Sequence, residues 1–398
     1  MKPFSPWPSF TKEEADQIHD ILLSNKVNYW TGSECKNFEI EFARFTNSKY
    51  AISLANGTVA LDLAFNALDL GMGDEVIVTS RTFMASVSSI INAGATPIFV
   101  DVNPNTQNID VENVRRALTK NTKAIVCVHL AGWPCDMEPI MALATNHSIF
   151  VVEDCAQAHG AKYKGKSVGS IGHIGAWSFC QDKIMTTGGE GGMVTTNDRR
   201  LWLKMWAFKD HGKSWTAVHN KSKNFGFQWL HETFGTNWRM TEIQAAIGRI
   251  QLKKMKDWQA ARIGNAEKIW SIARQLKHVR VPKHACEGCT NPCSARNGCE
   301  HAAYKCYIFI DGDEKLRDDI VIDINKHGVP CYTGTCSEVY LERAFDNTNF
   351  RPNKRLPVAK RLGDTSVMFL CHPTLTADEI QKTCEVLKVV VENQQRKN

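Results

Sequence analysis

The chain reads as an α/β protein: a large domain built on a mainly parallel sheet, followed by a smaller C-terminal α+β domain. Between Tyr50 and about residue 200, short apolar runs alternate with longer stretches of helical periodicity. That alternation gives βαβ units and a sheet covered on both faces. At 398 residues the chain exceeds the size at which one core keeps growing. The composition then changes, with a stretch dense in Cys, Gly, Pro and Asn over 282–300. The boundary is expected near 250–260, giving a large domain over 1–255 and a small one over 256–398.

The first element is a helix opened by Thr11 with Glu14 three positions on, the pattern of a capping box. Apolar runs predict strands over 50–55, 75–79, 96–100, 124–129, 150–153, 175–179 and 192–195. Helical spacing fills 59–68, 83–93, 110–118 and 137–146 between them. After a turn near Gly235, a long helix runs through about residue 277, interrupted near Lys256. A strand over 303–310, a helix over 316–327, a strand over 365–370 and a helix over 377–392 complete the small domain.

Bulk properties exclude several classes. Hydrophobic residues make up 43% and charged residues 23%, ordinary for a globular enzyme. No apolar stretch is long enough to span a bilayer, and Met1 to Pro6 is no signal peptide, so a cytoplasmic protein is expected. The net charge of +6 is dispersed, and Lys253, Lys254 and Lys256 fit a solvated helix face better than a nucleic-acid groove. Among fourteen cysteines, Cys127, Cys155 and Cys180 read as small buried hydrophobes. Cys286, Cys289, Cys293 and Cys299, with His301 behind, have a spacing that zinc could use. A metal-free loop is the reading taken.

The chemistry gathers around Lys183. It lies between a strand-like run ending at Phe179 and the glycine-rich turn Gly188-Gly189-Glu190-Gly191-Gly192. Burial disfavours an ammonium and frees an amine to attack a carbonyl, most often the aldehyde of pyridoxal phosphate. A surface lysine in a flexible loop is the other reading. The ends of the predicted strands supply the partners such a cofactor needs. Gly57 and Thr58, between a strand and a helix, offer a phosphate cradle, or merely a turn. Asp154 could pair with the pyridine nitrogen, or cap the next helix; the polar Gln157 and His159 beside it favour a site. Phe83 could stack on the ring or belong to the core, and Ser178 could bind phosphate or be an ordinary strand serine. Arg81 and Arg239 could hold a substrate anion or a structural carboxylate. Cys331 and Cys336 could line the substrate region or a packed turn.

Taken in order, Gly57-Thr58, Phe83, Asp154 to Gln157, Ser178, Lys183 and Gly188 to Gly192 resemble the sugar aminotransferases of the DegT/DnrJ/EryC1/StrS family. The resemblance covers nearly the whole chain. It starts at Trp30-Thr31-Gly32, continues through Gly94 to Asp101, and includes Asn237-Trp238-Arg239-Met240-Thr241-Glu242. It implies the type I, aspartate aminotransferase-like fold and pyridoxal 5'-phosphate as cofactor. Lys183 would then bind the cofactor and transfer protons, with Asp154 at the ring nitrogen and Gln157 at the ring hydroxyl. Phe83 would stack on the ring, and Gly57, Thr58 and Ser178 would surround the phosphate. Asn237 would reach the cofactor phosphate of a neighbouring subunit, which implies a homodimer with shared sites. Dehydrating relatives carry histidine at the position of Lys183, so the lysine argues for amino transfer. The expected reaction converts a keto-sugar to an amino-sugar with glutamate as donor, for lipopolysaccharide or another surface glycan. A free eight-carbon keto-sugar acid is the alternative acceptor. A non-catalytic cofactor-binding regulator is a further reading, although no DNA-binding segment supports it.

Overall fold

A computed structural model describes residues 3–219, 229–283 and 298–397. Seven strands form the main sheet: β1 (Tyr50–Leu54), β2 (Glu75–Thr79), β3 (Thr96–Val100), β4 (Thr122–Val128), β5 (Phe150–Asp154) and, past a hairpin of β6 (Lys162–Tyr163) and β7 (Lys166–Ser167), β8 (Ile174–Ser178) and β9 (Gly192–Thr196). Their order is β1-β9-β8-β5-β4-β2-β3. From β8 to β3 every pairing is parallel. β9 runs antiparallel to both β1 and β8. The connection from β8 to β9 contains no helix to carry the chain across the sheet, so it turns back at the edge where it left.

Helices cover the sheet: α1 (Lys12–Ser24), α2 (Glu34–Thr46), α3 (Gly57–Ala67), α4 (Ala85–Asn92), α5 (Val111–Ala117), α6 (Met137–His147), α7 (Arg199–Phe208) and α8 (Trp215–His219). The strand pattern explains two cores. Val76 and Val78 join Phe65, Val126 and Val152 on one face, while Ile77 joins Ile125, Ile140 and Val151 on the other. The sheet is therefore buried on both sides, as its unbroken apolar strands predict.

α9 (Glu242–Ala273) is capped by Thr241, whose hydroxyl accepts from the Gln244 N–H at 3.3 Å. It then runs for 32 residues without a break. The interruption expected near Lys256 is absent because Lys253 to Trp258 holds neither glycine nor proline. Met255 is buried, while Lys253 and Lys256 face solvent. The far half of α9 lays Ala266, Ile269 and Trp270 on a second sheet. That sheet is antiparallel, ordered β10 (Val279–Arg280), β11 (Cys306–Ile310), then β13 (Ser366–Phe369) and β12 (Cys331–Tyr332). α10 (Glu314–Lys326), α11 (Pro357–Thr365) and α12 (Ala377–Lys397) pack around it. β11 starts three residues later than expected, since Ala303 takes a positive φ and Tyr304 bonds back to Ala131. Among the described residues no helix is long and apolar enough to cross a membrane. Cys286, Cys289 and Cys293 lie outside the described residues; Cys299 and His301 are buried.

Candidate active site

The strand ends line up along one edge. Leu54 of β1 and Ser178 of β8 both sit opposite Gly192, and Asp154 of β5 pairs with Val128 on one side and Ala176 on the other. In open α/β sheets this carboxyl edge is where ligands bind. Gly57 and Thr58 open α3 directly beyond β1, with the Asn56 side chain accepting from Val59 N–H at 3.0 Å. The first N–H groups of a helix lack intrahelical acceptors and attract a phosphate. A Cβ built on Gly57 would lie 2.5 Å from the Ser178 Cβ and 2.9 Å from its Oγ. Only hydrogen fits there, so helix start and serine converge into one cradle. Gly57→Ala is expected to weaken pyridoxal phosphate binding by about ten- to a hundredfold, the scale of overpacking costs. Titrating apoenzyme with the cofactor measures it.

Asp154 is buried, with Oδ2 accepting from the Ser86 hydroxyl at 2.7 Å and Oδ1 from Ala156 N–H at 3.1 Å. Ser86 in turn meets the Thr82 hydroxyl at 2.8 Å, which ties the 82–86 turn to Asp154. Phe83 stands in that turn, before α4 rather than at its start, and the residue is 68% exposed. A large aromatic ring left bare beside a buried carboxylate is a surface for stacking. The Gln157 Oε1 accepts from Ala131 N–H at 2.7 Å. Gly57, Thr58, Ser178, Asp154, Phe83 and Gln157 thus border one edge, and the cradle a Cβ would fill suits a phosphate-bearing ring.

Lys183 lies in the loop that leaves this edge. Its N–H donates to the Cys180 carbonyl at 3.0 Å, and its carbonyl accepts from the Trp7 indole at 2.8 Å. Its side chain is 17% exposed, so the surface-lysine reading does not hold. The ammonium is 3.7 Å from Asp182 and 5.2 Å from the centre of the Tyr304 ring. Burial alone would raise the Asp182 carboxyl, but Lys183, the Tyr304 hydroxyl and Lys305 outweigh it and hold Asp182 below its usual range.

His159 is fully buried between Trp177 and Phe179, and burial, then the charges of Lys183 and Arg262, push it down to about 3. Its unfolded value lies near 6.5. The neutral ring therefore contributes stability that is complete above about pH 6.5 and is lost as pH falls toward 3. Thermal unfolding should show a falling melting temperature from pH 7 to 5, reflecting up to about 1.4 kcal/mol per pH unit. His159→Gln should flatten that slope, and an unchanged slope would contradict the assignment.

Two buried groups near the site are structural. The Glu153 carboxylate accepts from Gly169, Ile171 and Gly172 N–H groups and from the His129 Nε2, while His129 Nδ1 accepts from Cys135 N–H. With Cys155 they have metal-like spacing, but these contacts already occupy the His129 and Glu153 donor atoms. Arg239 pairs with Asp210, so of the two candidate anion-binding arginines it is structurally engaged. Arg81 instead donates to Ser337 at 2.7 Å and Gln107 at 3.3 Å. Cys331 is buried in β12, whereas Cys336 lines a surface cleft with Ser337.

Asn237 is not brought to this edge by its own side chain. It is exposed, on a segment held beside the end of β1 by the Ala55 N–H to Trp238 carbonyl bond at 3.0 Å. Sequence reasoning missed Ser86, Asp182 and Tyr304. Only their spacing around residues already chosen could have signalled them.

The chain is similar to known proteins along its whole length. The pattern of the DegT/DnrJ/EryC1/StrS aminotransferase family matches residues 8–388. A solved aminotransferase from Psychrobacter cryohalolentis is 59% identical, with a TM-score of 0.94 over 99% of this chain and 100% of that one. A GDP-perosamine synthase of Escherichia coli O157:H7 is 46% identical over 255 residues, 63% of this chain and 66% of that protein. The spore coat polysaccharide biosynthesis protein SpsC of Bacillus subtilis is 39% identical over 96% of both chains. The fold is the type I aminotransferase fold. The chain belongs to the DegT/DnrJ/EryC1/StrS aminotransferase family and is a pyridoxal-phosphate-dependent aminotransferase.

Proposed function

We propose that this enzyme converts a keto-sugar to an amino-sugar, with L-glutamate as amino donor, for lipopolysaccharide or another surface glycan. The observation that carries the reading is the shared edge. Gly57, Ser178 and Asp154 stand along it, and Lys183 lies in the loop that departs from it. A relative named for a GDP-linked product and another named for polysaccharide biosynthesis support a sugar acceptor.

When bound, pyridoxal phosphate supplies a protonated ring that draws off the charge left at the donor Cα. Gly57, Thr58 and Ser178 hold its phosphate. Phe83 would cover one face of its ring, and Gln157 would lie on the side of the ring hydroxyl. Asp154 would keep the ring nitrogen protonated, and Ser86 and Ala156 N–H fix that carboxylate in place. Lys183 would anchor the cofactor at rest. The Lys183 amine would take the proton from the donor Cα, and the same amine would return a proton in the reverse transfer to the sugar carbonyl. Tyr304 and Asp182 position its ammonium.

The functional unit is a two-fold homodimer in which Asn237 of one protomer reaches the cofactor phosphate of its partner. Exposure of Asn237 in the single chain supports this. The reaction belongs in the cytoplasm. The decisive experiment loads the enzyme with the amino group from glutamate, then presents nucleotide-linked 3-keto and 4-keto sugars and a free eight-carbon keto-sugar acid. Return of the starting absorbance with one of them identifies the acceptor. Failure of every sugar, with simple keto acids still active, would sink the sugar assignment.

A further inference from the structure

Next to Lys183 the fold buries more positive charge than it neutralises. Arg262, on α9, is 1% exposed. Its Nη1 donates to the Tyr304 carbonyl at 3.3 Å, but Nε and Nη2 find no hydrogen-bond partner among the described residues. The guanidinium lies 4.8 Å from the centre of the Trp7 ring. Lys305 follows Tyr304, with its ammonium 4.9 Å from the centre of that ring. Lys183 lies 5.2 Å from the same centre, so the two lysine ammoniums are separated by no more than the sum of these distances. Lys305 makes no ion pair with a carboxylate among the described residues, and burial pushes its ammonium below the usual lysine range. The carboxylate set among these three cations is Asp182, already engaged by Lys183 and the Tyr304 hydroxyl. His159 and His372 are neutral, His372 being pushed down to about 4 by burial and then by Arg262 and Lys305.

Buried charge of this kind is costly unless an anion completes it. The cofactor phosphate is not that anion, because its cradle is built from α3 and Ser178. The Tyr304–Lys305 segment is tied instead to Gln157: Tyr304 N–H donates to the Ala131 carbonyl at 3.1 Å, and Ala131 N–H donates to Gln157 at 2.7 Å. We propose that Lys305, backed by the Arg262 guanidinium, seats a substrate carboxylate beside Lys183. This rests on the aminotransferase reading above. The carboxylate belongs to the amino-acid donor or to an acidic keto-sugar, and the test separates the two.

Holoenzyme, Lys305→Gln and Lys305→Arg are titrated with maleate, a dicarboxylate without an amino group, by calorimetry and by the bound cofactor's absorbance. Lys305→Gln should weaken maleate roughly ten- to a hundredfold, the scale of one charged hydrogen bond. Lys305→Arg should recover most of the affinity, with cofactor content and melting temperature unchanged in both. A raised KM for glutamate at nearly constant kcat assigns the donor carboxylate. A rise confined to an acidic keto-sugar, measured against a neutral one, assigns the acceptor. Equal maleate affinity in wild type and Lys305→Gln, with both KM values unmoved, overturns the proposal. Failure of the aminotransferase reading itself is visible before any variant is made, as holoenzyme absorbance that glutamate leaves unchanged.

Discussion

Lys183→Ala should lower turnover by at least about 10^4-fold, because in the proposed mechanism one side chain carries both the cofactor anchor and the proton transfer. The fold should survive the change. Among the described residues the Lys183 side chain makes no hydrogen bond that holds the loop; the backbone does, through Lys183 N–H to Cys180 and the Trp7 indole to the Lys183 carbonyl. Alanine preserves both contacts. The variant should therefore melt within a few degrees of wild type and still take up cofactor through the Gly57–Ser178 cradle. Borohydride reduction followed by peptide mass analysis should place cofactor mass on the Lys183 peptide of wild type alone. An active Lys183→Ala enzyme would refute the mechanism.

Asp154→Asn should lower kcat/KM by about 10^2- to 10^3-fold, the range for loss of one charge-stabilising group in a preorganised site. The amide keeps an acceptor for Ser86 or Ala156 N–H, so the 82–86 turn with Phe83 should stay in place. What it loses is the negative charge that, on the proposed role, faces the ring nitrogen. Cofactor content near wild type with slow loss of the donor Cα proton is the expected signature, measurable as a deuterium isotope effect with α-deuterated glutamate. Ser86→Ala should cost less, since Asp154 keeps its charge and its bond to Ala156. Wild-type kcat/KM in Asp154→Asn would remove Asp154 from the chemistry.

Much of the large sheet is legible because each strand is a short apolar run set off by turns. Glu75–Thr79 and Thr96–Val100 lie where periodicity puts them. The β8 and β9 pieces flanking Lys183 are equally clear, because Ile174–Ser178 and Gly192–Thr196 are buried at every position. The direction of β9 is less legible: polarity depends on the connection, and a loop without helical pattern says only that no crossover exists. β10 and β12, two residues each, carry too little pattern to be read and exist through pairing with their neighbours. The candidate cofactor residues were readable because most of them stand at or just past the end of a strand. Arg262 and Lys305 were not, because they meet Lys183 only when α9 and the second sheet close over the first, and contacts between distant segments leave no local period.

The Gly192 position has a mechanical consequence. A Cβ there would lie 2.2 Å from the Asn56 carbonyl oxygen, so the first residue of β9 is wedged against the turn that begins the phosphate cradle. The same residue ends the loop that carries Lys183 and lies opposite Ser178. Anchor and cradle therefore hang from one rung of a buried ladder, like the jaws of a fixed gauge. Displacing that rung would break the pairing of three strands. The site should measure its cofactor's length, accepting changes on the ring before it tolerates one extra bond in the phosphate arm.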